Sequence, residues 1–97
     1  MIEKLIEIKN RFEEVGQLLG QPETVKDQKK FQQLSKEYRD LEKVVVKYDQ
    51  YQAALDGVKH AKDILQKEKD AEFREMAKME IEELEPKCEI LEAEIKE

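Results

Sequence analysis

The chain has 97 residues with a formal net charge of −6; charged side chains make up 43% of it and aromatic ones only 6%. A chain of this length buries only a modest core, which argues against a large enzymatic pocket. The composition is typical of long helices and coiled coils, so we expect an all-α protein. No apolar run approaches the roughly 20 residues of a membrane-spanning helix. Because no signal-peptide core opens the chain either, we expect a cytoplasmic protein without a membrane partner.

The first segment predicts a helix over about residues 2–19. Its apolar residues follow alternating steps of four and three, the spacing of a coiled-coil seam: Met1, Leu5, Ile8, Phe12, Val15 and Leu19. Ile2, Ile6 and Leu18 widen this seam, which favours packing against more than one neighbour. Gly20 then predicts the end of the helix.

The second segment predicts one long helix over about residues 24–68. The stretch 21–24 before it is short enough to be only a tight connection, and Thr24 or Asp27 can cap the helix that follows. At 1.5 Å per residue this helix is about 66 Å long. The seam contains two successive steps of three around Tyr48, which predicts a stammer there: Phe31, Leu34, Tyr38, Leu41, Val45, Tyr48, Tyr51, Leu55 and Val58. Alanine at Gly57, in the helix interior, should stabilise by up to about 1 kcal/mol unless close packing requires the glycine.

The third segment predicts a helix over about residues 70–96, with Asp70 as its cap and Glu72 in its first turn. Its seam keeps the same spacing: Phe73, Ala77, Ile81, Leu84, Cys88, Leu91 and Ile95. Since the apolar phase continues unaltered across Pro86, we expect a bend at this proline rather than a break.

Together these segments predict an elongated antiparallel three-helix, coiled-coil-like bundle with one long central helix. The first helix packs along the early half of the second, and the third along its later half. We expect residues 1–97 to form a single domain without an internal boundary.

Charge separates two regions of the chain. Residues 70–97 carry eleven acids against four bases, whereas residues 58–69 carry four bases against two acids. The basic region contains candidate contacts for phosphate groups, which we call the lysine cluster: Lys59, His60, Lys62, Lys67 and Lys69. Spacing alone favours the simpler interpretation that these lysines only solubilise an exposed helix. The acidic third helix argues against duplex DNA as a partner.

Catalytic and metal-binding patterns are absent from the sequence, so we expect neither an enzyme nor a cofactor or metal. There is no GxSxG, no phosphate-binding glycine loop and no HExxH. Cys88 lies on an apolar stripe and is interpreted as a small buried hydrophobe. Tyr38, Tyr48 and Tyr51 occupy seam positions, and we interpret them as packing residues.

Several irregular features accompany the heptads: the Gly20 stop, the Gln21-Pro22 connection and Pro86. The chain also contains Leu18-Leu19-Gly20, Phe31-Gln32-Gln33-Leu34-Ser35-Lys36-Glu37-Tyr38 with Leu41, Phe73-Arg74-Glu75-Met76-Ala77 and Glu82-Glu83-Leu84-Glu85-Pro86-Lys87. In these residues it resembles, over essentially its whole length, the N-terminal helical domain of bacterial class I peptide chain release factors. The Leu-Ser-Lys-Glu-Tyr stretch is most similar to the type that reads UAA and UAG.

The resemblance implies a domain that touches protein and rRNA at the stalk base of the large ribosomal subunit, and it makes the lysine cluster the candidate ribosome and rRNA contact. It also implies a contact with the methyltransferase that modifies the catalytic glutamine. The Gly-Gly-Gln loop of the family is missing, and the resemblance implies that the codon-reading part also lies outside this chain, so we expect a chain truncated from a longer multidomain protein.

A rival hypothesis is a self-associating coiled-coil scaffold module, which requires seams that match between identical chains. We also expect a weak homodimer, on the premise that the end of the third helix lacks its natural cover. The two main hypotheses differ in one structural requirement. The release-factor hypothesis needs intramolecular turns at Gly20 and at 69–72.

Overall fold

The computed structural model describes residues 2–96 and the side chains of residues 3–96. The described chain is helical, without strands, and contains four helices: α1 (Ile2–Leu19), α2 (Pro22–Lys26), α3 (Gln28–Lys67) and α4 (Ala71–Lys96). It divides into two compact units, the first unit (Met1–Val46) and the second unit (Lys47–Glu97). The all-α class, the long central helix and the three predicted helices are confirmed.

In the first unit, α1 packs antiparallel to the early part of α3. Phe12 stacks on Tyr38 with ring centroids 4.6 Å apart, whereas Leu19, later in α1, lines a hollow together with the earlier Phe31 of α3. The core consists of apolar residues at seam positions, with Val15 fully buried: Val15, Leu34 and Val45. The predicted seam between these two segments therefore forms within one chain.

The end of α1 lies where Gly20 predicted it, but its geometry is a tightened turn. The amide of Gly20 donates to the carbonyl of Gln17 at 3.1 Å, and that of Gln21 to Leu18 at 3.1 Å. These are i→i+3 bonds, which satisfy the last carbonyls of a helix without a left-handed residue. No described glycine has a positive φ.

The connection after α1 is not merely a tight link as predicted, because it contains the five-residue helix α2. Pro22 stands in its first turn, where a missing amide costs nothing. Of the two candidate caps for the long helix, Asp27 serves: its Oδ1 accepts from the amide of Lys30 at 3.1 Å. Thr24 is instead buried, and its Oγ1 has no hydrogen-bond partner among the described residues. The long helix consequently begins at Gln28 rather than at 24.

In the second unit, α4 packs antiparallel to the later part of α3. The buried core is Ala54, Val58 and Cys88, packed against half-buried Tyr51, Leu55 and Leu84. Two ion pairs fix the direction of packing. Lys47 pairs with Glu94 at 3.0 Å and Lys62 with Glu85 at 3.7 Å, so rising numbers in α3 face falling numbers in α4.

The start of α4 follows the prediction closely. Asp70 accepts a hydrogen bond through Oδ1 from the amide of Glu72 at 2.9 Å, as expected of a helix cap. The helix then continues through Pro86 without a break. The turn between α3 and α4 is intramolecular, as is the one at Gly20, and this meets the requirement of the release-factor hypothesis.

Among the described side chains, three apolar residues of the predicted seams are exposed rather than buried or half-buried. Ile6, Phe31 and Phe73 are exposed, whereas Ala54 and Ala61, which the seam omitted, are buried. Phe73 lies in the first turn of α4, beyond the point where α3 has ended, whereas Phe31 lies opposite the last turn of α1 and borders a hollow with Leu19. The alanines are buried because a small side chain allows the two helix backbones to approach closely.

Candidate nucleic-acid interface

The lysine cluster lies on the last three turns of α3 and in the turn that follows. All five of its side chains are exposed. Helical register places Lys59 and Lys62 on one flank of α3, since they are three residues apart, and His60 and Lys67 on another, since they are seven apart. Lys69 lies in the turn between α3 and α4. The structure therefore brings the cluster to one end of the second unit, but on two flanks.

Two of the four lysines are paired within the chain. Lys62 Nζ lies 3.7 Å from Glu85 Oε2, and Lys67 Nζ lies 2.9 Å from Asp63 Oδ1. Exposed pairs of this kind contribute only about 0–1 kcal/mol, so either lysine can exchange its carboxylate for a phosphate. Lys59 and Lys69 have no carboxylate partner within the described part of the chain. They are the freest positive charges of the cluster.

The turn that presents Lys69 is held by hydrogen bonds. Glu68 accepts through Oε1 from the amides of Lys69 and Asp70, each at 3.2 Å. Arg74 Nη1 reaches back from α4 and donates to the carbonyls of Leu65 and Glu68, the latter at 3.2 Å. A cation there satisfies carbonyls that the end of α3 leaves free. The turn that carries Lys69 is thus stabilised by hydrogen bonds between backbone atoms and the side chains of Glu68 and Arg74.

Arg74 is the residue of this surface that no sequence pattern assigned a structural role. The only indication in the sequence was the position of Arg74, a basic residue in the first turn of a helix that directly follows another helix. That position lets the side chain reach the last carbonyls of the preceding helix. The expected contact residues were visible as a run of lysines, whereas the residue that orders their turn was not.

The lysine cluster and its surroundings offer ionic contacts rather than a metal-binding or nucleophilic site. Within residues 2–96 no group of three or more histidine, cysteine and acidic side chains is placed to hold a metal ion. Cys88 is buried, as predicted, and burial raises the pKa of its thiol, with neighbouring glutamates adding to the effect. The thiolate that nucleophilic chemistry needs is therefore disfavoured. None of the described helices is long and apolar enough to cross a membrane.

Comparison with known proteins identifies the family. The PCRF domain matches residues 8–97 of the chain. Peptide chain release factor 1 of Clostridioides difficile (strain 630) is 44% identical over 96 residues, which is 99% of this chain and 27% of the relative. The protein of that name from Alkaliphilus oremlandii (strain OhILAs) is 45% identical over 97 residues, again 99% of this chain and 27% of the relative. No solved structure gives a significant match.

A third relative gives the same result. Peptide chain release factor 1 of Cytophaga hutchinsonii is 43% identical over 97 residues, 100% of this chain and 27% of the relative. The chain thus spans about a quarter of the length of the curated relatives it matches, and it covers their N-terminal region. The chain therefore belongs to the PCRF domain family, as its resemblance to class I release factors predicted.

Proposed function

We propose that this chain is the N-terminal helical part of a bacterial translation termination factor that directs stop-codon-dependent peptide release. The observation that carries the proposal is the similarity to peptide chain release factor 1 over 99% of the chain. The 97 residues contain no Gly-Gly-Gln sequence, and their one Pro-x-Thr string, Pro22-Glu23-Thr24, lies in the five-residue helix α2 with Thr24 buried. In this proposal codon reading and hydrolysis therefore belong to other parts of the factor, and this part contributes binding.

The proposed contact surface is the lysine cluster, meeting rRNA and protein at the stalk base of the large subunit. Its side chains are exposed, its turn is held by Arg74, and Lys59 and Lys69 are free of carboxylate partners among the described residues. Lysines that meet phosphates speed the encounter and release counterions, so the contact should weaken with salt. The acidic α4 is repelled by rRNA, which leaves the flanks of α3 and the turn as the side that approaches it.

Two further partners belong to the proposal. One is the methyltransferase that modifies the catalytic glutamine of the factor. The other is a second copy of the chain, in a weak homodimer. Cys88 and Leu91 are buried against α3, so the end of α4 is not the uncovered stripe first expected. A homodimer would have to use the exposed apolar residues of α4: Met76, Met79 and Ile90.

The rival scaffold hypothesis is less well supported. It needs apolar seams that are free for an identical chain. The buried seam residues instead pack within each unit of one chain, α1 on the early part of α3 and α4 on its later part.

The test is a charge reversal in the full-length factor. Lys59, Lys62, Lys67 and Lys69 are all replaced by glutamate, and ribosome association is followed by stopped-flow fluorescence at several salt concentrations. We expect slower association at moderate salt and a shallower salt dependence, while the hydrolysis rate at saturating factor stays nearly unchanged. A matched control reverses four exposed lysines outside the cluster, with the same change in net charge: Lys4, Lys26, Lys78 and Lys87.

The control decides between local contact and overall charge. If both quadruple variants slow association equally, only net charge matters and the assigned surface is wrong. The same conclusion follows if the cluster variant associates normally. Within the cluster, Lys59 and Lys69 should matter more than Lys62 and Lys67, whose charges are already partly neutralised by Glu85 and Asp63.

A further inference from the structure

A hollow in the first unit lies outside the surface proposed above. It has a volume of about 560 Å³ and apolar walls formed by Leu19, Phe31 and Tyr38. Phe31 is 38% exposed although it is a large aromatic residue. Tyr38 is held by stacking on Phe12, with ring centroids 4.6 Å apart. The hollow therefore offers aromatic surface on a wall that is already ordered.

Two cations lie on the rim of this hollow. Lys36 and Arg39 line it together with Gln32 and Ser35. Both cations also line a smaller neighbouring hollow with Lys43, Asp40 and Glu42. Neither Lys36 nor Arg39 pairs with a carboxylate among the described side chains, unlike Arg11 on the facing helix, which binds Glu37. The hollow therefore combines exposed aromatic surface with two cations that no described carboxylate neutralises.

We infer that this hollow binds an unpaired nucleotide of single-stranded RNA. The base lies against Phe31 and Tyr38, and the adjacent phosphates meet Lys36 and Arg39. Single-stranded nucleic acids are bound in this way, through aromatic stacking of bases together with cations along the backbone. The amide of Gln32 supplies both donors and an acceptor for a base edge.

The charges around the hollow limit how the RNA lies. Asp40 and Glu42 line the neighbouring hollow together with Lys36, Arg39 and Lys43, so three cations face two carboxylates where the RNA backbone passes. An acidic peptide with one apolar side chain is the competing occupant, because it also satisfies two cations. The planar aromatic walls favour a nucleobase over this peptide. A base stacks on an aromatic ring, whereas an aliphatic side chain needs only an apolar wall of any shape. This inference does not rest on the proposed function, because it concerns another unit and free RNA.

The test uses the 97-residue chain and a fluorescein-labelled single-stranded octa-adenylate. Fluorescence anisotropy gives the affinity at several salt concentrations, and ¹⁵N NMR of the labelled chain locates the site. We expect amide shifts centred on residues 31–39. Replacing both Lys36 and Arg39 by alanine should reduce the salt slope by about 1.4, which corresponds to two single-strand phosphate contacts.

The aromatic wall is tested by Phe31→Ala, which should weaken binding about tenfold through loss of a stacked base. Phe31→Leu, which keeps an apolar side chain, should lose nearly as much. The matched control is Phe73→Ala, since Phe73 is also an exposed phenylalanine in the first turn of a helix, 55% exposed. It should bind normally. Circular dichroism verifies that each variant is folded.

Three outcomes would overturn the inference. One is equal loss of affinity in the Phe31 and Phe73 variants. Another is a set of RNA-induced shifts confined to residues 59–69, which would support the lysine cluster instead. The third is a set of amide shifts at residues 31–39 that an acidic, leucine-containing peptide induces but octa-adenylate does not. Failure of the ribosome-association experiment would leave these measurements unaffected, so the two proposals fail separately.

Discussion

At the scale of single residues, Arg11 makes the most specific polar contact between α1 and α3. Its Nε and Nη2 donate to the two carboxylate oxygens of Glu37 at 2.6 and 2.7 Å, a bidentate pair. Nη1 donates to Glu14 at 2.8 Å on its own helix. The hydrogen bond from Arg11 lowers the pKa of Glu37, and partial burial opposes that shift. The pair fixes the register of α1 on α3.

The first prediction concerns the pH dependence of this pair. Because the pKa of Glu37 is lower in the folded chain than its usual 4.5, its contribution to stability is present above that value. It is lost as the pH falls through the folded pKa. Arg11→Ala should therefore be less stable than the parent in urea unfolding at pH 7, and this difference should shrink at pH 3. A difference that stays constant to pH 3 would contradict the prediction. Glu14→Gln is the control and should change little.

The second prediction compares two glycines inside helices. A Cβ built on Gly57 would lie 2.6 Å from Leu84 Cδ1, whereas one on Gly16 would lie 3.4 Å from Tyr38 Cε2, an ordinary contact. Replacing glycine by alanine in a helix interior raises the free energy of unfolding by up to about 1 kcal/mol. Gly16→Ala should show this gain in thermal unfolding. Gly57→Ala should gain less or destabilise, because Leu84 has to move. Equal stabilisation of both variants would show that Leu84 rearranges freely.

At the scale of helices, the sequence indicated most of the architecture because heptad spacing and caps are local signals. Asp70 and Gly20 marked real boundaries, and Cys88 and Leu91 lie on a buried stripe as their spacing indicated. Periodicity does not show where a facing helix ends, however, and so it placed the exposed Phe73 in the core. Nor does it distinguish buried from exposed alanines. Helix α2 was missed because five residues are too few for a periodic signal.

The third prediction concerns the cap of α4. Asp70→Ala should destabilise the chain by about 1 kcal/mol, since it removes the acceptor for the amide of Glu72. Asp70→Asn keeps an acceptor of the same reach and should lose far less. Urea unfolding followed by circular dichroism measures both variants. Similar losses would indicate that the charge of Asp70, rather than its hydrogen bond, stabilises the start of α4.

The fourth prediction uses neighbouring residues on opposite faces of α4. Leu91 is 6% exposed and Ile90 is 62% exposed. Leu91→Glu places a carboxylate against the apolar side of α3 and should cost about 3 kcal/mol or more. Ile90→Glu should change stability by no more than about 0.5 kcal/mol. If Leu91→Glu is as stable as Ile90→Glu, α4 does not pack on α3 as described. Sedimentation of the Ile90 variant also tests the proposed homodimer surface.

At the scale of the whole molecule, positive charge is distributed unevenly over an acidic chain. The lysine cluster was predictable because four bases within twelve residues stand out from the sequence. The hollow beside Lys36 and Arg39 was not, since its residues come from two helices and their cations alternate with Glu37, Asp40 and Glu42. In the structure Glu37 pairs with Arg11, and neither Lys36 nor Arg39 pairs with a carboxylate among the described side chains. Charge counts along a sequence cannot reveal such pairing.

The last prediction concerns what the chain does alone. We expect no stop-codon-dependent release of formylmethionine from ribosomes programmed with UAA, with a full-length release factor as the positive control. Hydrolysis requires a positioned nucleophile or base. Here the carboxylates lie mostly on solvated helix faces, His60 is exposed on α3, and Cys88 is buried with a raised pKa. The chain should instead slow release by the full-length factor when present in large excess, because both would occupy the same ribosomal contact. Release above background by the chain alone would contradict the assignment of hydrolysis to other parts of the factor.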